Sequence, residues 1–184
     1  DIATGTAALT AFNPQFLFLS SGANNDALLI LLSTIALYLA LKIANGWDRP
    51  RRSPILLGLV VGLAALTKLS GLTTIALIIG AYVLRARQTQ ARRLSRENVL
   101  IIARPIAIAL GVAALVAGWW YVRNIVLYRD PLGMSVWLGT LTTPAPSLGA
   151  AIRQLGDSVV SYWGVFGWMN VLADEIFYTW VRVL

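Results

Sequence analysis

The residues able to do chemistry fall into three groups: Asn24, Asn25 and Asp26; Thr67, Lys68 and Ser70; and Arg123 with Asn124. A carboxylate beside two amides can line a site and orient a donor or a cation. Asp26 also suits the start of a helix, where its oxygen would satisfy free backbone N–H groups and the helix dipole. The two roles are compatible. Lys68 stands in apolar surroundings, and its ammonium either snorkels to water or meets a lipid phosphate, for which a lysine point charge is well suited. Arg123 follows Trp119, Trp120 and Tyr121, so it either contacts lipid headgroups or takes part in a substrate site. The chain has no cysteine and no histidine, which excludes disulfides, zinc sites and histidine acid–base chemistry in this segment. No cofactor is expected. A divalent cation held by carboxylates stays open for the full protein, although the carboxylates here are few and scattered.

The elements that must position these residues belong in a membrane. The chain is 58% hydrophobic and 12% charged, against roughly 45–50% and about 25% for a soluble domain. Lipid must therefore serve as solvent for much of its surface. The net charge of +7 comes from arginines in short loops between apolar runs, where membrane topology places them. Nucleic acid is accordingly not expected as a partner.

The clearest span runs from Ala27 to Ala44. A weaker one, Thr4 to Ser21, carries Asn13 and Pro14 at its middle and should kink there. A third runs from Pro105 to Val122, with Pro105 expected in the first helical turn and Trp119, Trp120 and Tyr121 as an interfacial anchor. The stretch Pro54 to Leu84 has arginines on both flanks: Arg49, Arg51 and Arg52 before it, Arg85, Arg87, Arg92, Arg93 and Arg96 after it. A single helix would put these flanks on opposite sides, so the positive-inside rule predicts a hairpin of two short legs with Lys68 at its apex. Gly58 and Gly62, a GxxxG pair, are expected to let helices pack closely rather than to mark a dimer. With the loops Asn45–Ser53 and Arg85–Asn98 inside, the turn Gly22–Asp26, the hairpin apex and the chain after Tyr121 fall outside. From Leu148 to Val165, apolar residues at near-helical spacing predict an interfacial helix with Trp163 and Trp168 as anchors.

The expected fold is therefore all-α, a polytopic helical transmembrane bundle with an external interfacial helix. Residues 1–128 would form the transmembrane core. Residues 129–184 would hold an external loop, the interfacial helix and the start of a further helix at Ile176 to Leu184. The first residue is Asp1, no signal peptide is evident, and both ends read as truncations of a longer protein.

The order of four segments carries a resemblance: NPQFLFLSSGANNDALLILLSTIALYLAL, then GLVVGLAALTKLSGL between arginine-rich loops, then GWWYVRNIVLYRDPLG, then SYWGVFGWMNV. Together they resemble the GT-C superfamily of membrane glycosyltransferases, on the branch of protein O-mannosyltransferases and aminoarabinose transferases. The resemblance covers nearly the whole chain. It implies transfer of a sugar from a polyprenyl-phosphate carrier to an acceptor on the external face of a bacterial plasma membrane. By the same resemblance Asn25 and Asp26 fall in an external turn near the active-site cavity, Lys68 matches the lysine of the family's LTK segment, and Arg123 and Asn124 lie at the outer end of a later helix. These five would be substrate-binding residues. The family has Gly-Pro after its lysine, whereas Leu69, Ser70 and Gly71 stand here. The family's catalytic aspartate lies in the first external loop after the first transmembrane helix and has no counterpart here, so no catalytic residue is expected in this segment and the segment alone should not turn over. Competing readings from the residues alone are a transporter, with the broken hairpin and its intramembrane lysine as substrate site, and a non-catalytic membrane subunit. The donor sugar and acceptor are not legible.

Overall fold

The computed structural model describes residues 1–22, 24–88, 96–140, 147–149, 160–167 and 170–181. The chain divides into two compact units, Asn25–Thr140 and a second made of Asp1–Asn24 with Leu141–Leu184. These units cut the chain at different places from a division into 1–128 and 129–184.

The larger unit is built from α3 (Asn25–Ala44), α4 (Ser53–Thr67), α5 (Ile75–Gln88), α6 (Arg96–Tyr128) and the short α7 (Ser135–Thr140). Among the described residues three stretches are long and apolar enough to cross a membrane: Asn25–Ala44, Leu69–Gln88 and Ile102–Tyr128. Their outer surfaces stay apolar where they face away from the bundle, as at Leu31, Leu41, Ile79 and Leu115, the pattern lipid requires.

The core lies among α3, α4, α5 and α6 and is rich in small residues: Ala36, Ala40, Leu57, Val61, Ile78, Ala81, Ala109 and Ala113. Small side chains let backbones approach, which is how helices gain packing energy in lipid. Gly58 and Gly62 serve that approach. A Cβ at Gly58 would lie 2.3 Å from the carbonyl oxygen of Ala109, and one at Gly62 would lie 2.8 Å from the Val116 side chain. These successive contacts make α4 and α6 run parallel.

The stretch from Pro54 to Leu84 is broken at Lys68, as its arginine-bearing flanks demand. Lys68 is extended, with φ −159° and ψ 149°, and a 3-10 turn, Leu69–Thr74, precedes α5. The chain then returns, because Arg85 of α5 donates to the carbonyl of Ile43 at 3.2 Å and pairs with Asp48 in the loop before α4. The described arginines of the two flanks, Arg49, Arg51, Arg52, Arg85 and Arg87, therefore lie at one end of the unit, while Arg92 and Arg93 of the expected loop Arg85–Asn98 lie outside the described residues. Only the first leg is short. With its 3-10 turn the second spans 20 residues, so the expectation of two short legs holds for α4 alone.

Pro105 departs from expectation. It lies inside α6 rather than in its first turn, since the helix already begins at Arg96. A proline leaves one carbonyl, four residues back, without its helical partner, a loss that a long apolar helix can absorb.

The smaller unit holds α1 (Ile2–Ala11), α2 (Pro14–Ser21) and α8 (Glu175–Val181), with two short antiparallel strands, β1 (Val165–Phe166) and β2 (Val171–Leu172). The break between α1 and α2 falls at Asn13 and Pro14. Pro14 opens α2, and Asn13 caps it by accepting from the N–H of Phe16. The chain is all-α as expected, and these two-residue strands are only a local turn within it, with Gly167 at φ +64° between them. The predicted interfacial helix lies largely outside the described residues, as does Trp168; within it, 160–164 are helical. Helix α8 occupies the place of the expected final helix, whose last three residues also lie outside.

Candidate functional site

Helix α3 opens at Asn25, which puts Asp26 in its first turn, where a carboxylate is favoured by the helix dipole. Helix α4 closes at Thr67 because the backbone leaves helical geometry at Lys68. Since α3 and α4 pack against each other in opposite directions, the start of one meets the end of the other. Lys68 Nζ donates to Asp26 Oδ1 at 2.5 Å, and Asn25 Nδ2 lies 3.5 Å from the carbonyl oxygen of Thr67. Three residues singled out from the sequence are thus brought together. The pair is partly open, with the Lys68 side chain 41% and the Asp26 side chain 33% exposed. An ammonium has three N–H donors, and one engaged by Asp26 leaves two for a ligand.

What holds Lys68 in place is Gly71, which the sequence did not single out for this. In the 3-10 turn it lies so close to α4 that a Cβ there would sit 2.0 Å from the carbonyl oxygen of Ala64 and 3.0 Å from the nitrogen of Ala65. The available signal was its place three residues after the lysine, where the chain reverses and only glycine allows so close an approach.

Arg123 and Asn124 stand at the same end of the unit but form a second feature. They line a cleft of about 360 Å³ with Trp120, Tyr128, Leu132 and Gly133. The Arg123 guanidinium lies over the Trp120 ring, 5.1 Å from its centroid, a cation–π arrangement. Asn124 is buried, and its amide donates to the carbonyl of Pro131 at 3.4 Å. Its first role is to hold the chain after α6 against the helix. Asp130 fastens the same turn by accepting from the N–H groups of Leu132 and Ser135, at 3.0 and 2.6 Å. The Ser135 N–H, chief among these donors, holds the Asp130 carboxyl below its ordinary range.

The smaller unit carries a polar clamp that sequence reading took only for a kink. Asn13 Nδ2 donates to the carbonyl of Tyr162 at 3.3 Å, and Gln15 Oε1 accepts from the N–H of Val165 at 2.9 Å. Two buried polar side chains in the apolar text of NPQF were the signal, since buried amides need partners. Among the described residues, no three of His, Cys, Asp and Glu converge as a metal site would require.

A bundle of spanning helices that keeps an ion pair and a cation–aromatic cleft at one end defines a multi-pass integral membrane protein. Comparison with known families specifies it further. The sequence model of the dolichyl-phosphate-mannose-protein mannosyltransferase family matches residues 1–121, and the chain belongs to that family. It is a membrane glycosyltransferase of the mannosyltransferase type. No match was found among curated proteins or solved structures.

Proposed function

We propose that the protein moves a sugar from a polyprenyl-phosphate carrier to an acceptor on the external face of a bacterial plasma membrane, with inversion at the transferred carbon. The bond that breaks joins the anomeric carbon to a phosphate oxygen, so negative charge grows on the departing lipid phosphate. A cation fixed beside that oxygen favours the transition state over the ground state. The observation that carries this reading is the Asp26–Lys68 pair at the break after α4. Asp26 orients the ammonium, Asn25 ties the two helix ends together, and the remaining Lys68 donors face the phosphate. Arg123 supplies a further cation at the same end of the bundle. None of these residues is assigned the removal of the acceptor's proton.

The external placement follows from charge. Lys42, Arg49, Arg51, Arg52, Arg85 and Arg87 lie at the opposite end, which the positive-inside rule assigns to the cytoplasm.

The test is transfer from a polyprenyl-phosphate sugar in membranes matched for protein level. Lys68→Arg is expected to keep part of the activity, and Lys68→Met and Asp26→Ala to lose most of it, because Met restores length without charge. Wild-type activity in Lys68→Met would eliminate the phosphate role.

A further inference from the structure

Helix α3 and the second leg of the hairpin run side by side in one direction, and the hydrogen bonds that tie α3 itself to the hairpin all join residues 42 apart in the chain. At the outer end they link Asn25 with Thr67 and Asp26 with Lys68, and at the inner end Ile43 with Arg85. A constant offset at both ends means that two stretches of 20 residues each are held in one axial register. Among the described residues no hydrogen bond joins α3 to α5 between those ends. Ala36, Ala40 and Ile43 pack there with Ile78, Ala81 and Tyr82, and the buried Tyr82 hydroxyl has no partner. The Thr34 hydroxyl bonds back to Ile30 of its own helix. In lipid such an apolar interface gains packing but no hydrophobic drive, so the register along the axis rests on the end contacts.

The two ends do not hold equally. The Asp26 and Lys68 side chains are 33% and 41% exposed, and an ion pair open to solvent contributes little. The Asp48 side chain is only 3% exposed, and Arg85 answers it while also donating to the Ile43 carbonyl at 3.2 Å. Breaking a buried pair strands a charge without water or counter-charge, so this end resists slipping far more. The loop that carries Asp48 is itself fastened to the end of α3. The N–H of Gly46 donates to the Ile43 carbonyl at 3.1 Å and that of Trp47 to the Lys42 carbonyl at 2.9 Å. Arg85 thus grips α3 twice, directly and through the loop. Because α3 is one helix of 20 residues, a slip at its inner end carries Asp26 by the same amount. A slip of one turn, about 5.4 Å, takes the carboxylate out of reach of Lys68 Nζ, which it meets at 2.5 Å.

We propose that Arg85 is a positioning residue for the site at the other end of the bundle: with Asp48 it sets the axial register of α3 and so delivers Asp26 to Lys68. Its link to sugar transfer rests on the role proposed above for that pair, whereas the register is tested without turnover.

The chain has no cysteine of its own. Asn25→Cys with Thr67→Cys in the full chain therefore reports the outer register, through the rate at which copper phenanthroline joins the two thiols in membranes. Asp48→Asn with Arg85→Met removes the lock without leaving a buried unpaired charge, so thermal unfolding should return most of the way to wild type. Cross-linking in that background is expected to slow on the order of tenfold. Asp48→Asn alone, the milder change, should slow it by less, and decides by the same rate should the double variant not insert. Transfer, measured on the cysteine-free chain, should fall in kcat by about tenfold to a hundredfold with little change in KM for the donor, because Lys68 acts on charge that grows in the transition state. Undiminished cross-linking in both variants overturns the proposal. Slower cross-linking with unchanged transfer upholds the register lock and counts instead against the phosphate role of Lys68.

Discussion

Replacing Gly71 with alanine adds one methyl group at the point that positions Lys68, and its cost can be worked from the geometry. The new Cβ would lie 2.0 Å from the Ala64 carbonyl oxygen and 2.4 Å from its carbon. Ordinary contact begins at about 3.5 Å, so the turn must move off α4 by roughly 1.5 Å. No side chain can give way, because the atoms met are backbone inside a helix. Overpacking of this kind costs about 1–3 kcal/mol of stability. The functional cost should be larger. Lys68 is three residues away, its carbonyl accepts from the N–H of Gly71 at 2.8 Å, and its ammonium must reach Asp26. A misplacement of about 1 Å in a catalytic constellation costs on the order of a hundredfold in rate. We therefore expect Gly71→Ala to lower sugar transfer by about that factor while the protein still inserts and folds. Gly80 is the internal control, since a Cβ there meets nothing within 4 Å, and Gly80→Ala should be neutral or stabilise by up to ~1 kcal/mol. The assay is transfer in matched membranes beside thermal unfolding in detergent. Wild-type transfer in Gly71→Ala would refute the claim that this contact places the lysine.

Two further outcomes are expected. Arg85→Met should destabilise the protein by about 3–5 kcal/mol, because it leaves the Asp48 carboxylate, 3% exposed, without its cation; Asp48→Asn with Arg85→Met should recover much of this in a double-mutant cycle of unfolding free energies. The turn after α6 should loosen in acid. The folded carboxyl of Asp130 titrates below its ordinary value, so its stabilisation is complete above the unfolded pKa and is lost as pH falls through the folded one. Hydrogen exchange at the Leu132 and Ser135 amides should therefore accelerate below the usual carboxylate range, and Asp130→Asn should abolish that dependence.

How far the sequence reveals this depends on whether a feature leaves a charge. The hairpin was legible because arginines on both flanks cannot lie on opposite sides of a bilayer without cost, and the break duly falls at Lys68. Asn25, Asp26 and Lys68 were legible as polar residues in apolar text, and Asp26 and Lys68 now partner each other. Features made by the backbone were not. Gly71 matters because of a distance to Ala64 that no residue type announces. Asn13 and Gln15 read as a kink because their partners, the backbone of Tyr162 and Val165, lie about 150 residues away. Pro105 misled because the rule for helix starts weighs one lost hydrogen bond, whereas a 33-residue apolar helix is held by all the others. Arg123 and Asn124 were legible as a pair and both line the cleft, but that Asn124 also pins the turn through the carbonyl of Pro131 is a backbone contact no residue type announces.

The short α4 explains why a polar site can exist at this end. Its 15 residues rise about 22 Å at 1.5 Å each, against a hydrocarbon core of about 30 Å. If Arg49, Arg51 and Arg52 mark one boundary, the helix stops roughly 8 Å short of the other. Lys68 would then lie below the headgroups, where a lone ammonium is costly. Asp26 offsets that cost, because α3 starts at the level where α4 stops. Helix α6 does not stop there: Tyr121, whose hydroxyl donates to the Ala65 carbonyl at 2.9 Å, is level with the end of α4, and the helix continues beyond it to Tyr128. The missing turns of α4 thus leave room both for the paired lysine and for the cleft at Arg123, within a bundle pinned at its other end by Arg85, Asp48 and the carbonyl of Ile43. Extending α4 by a turn would close this space.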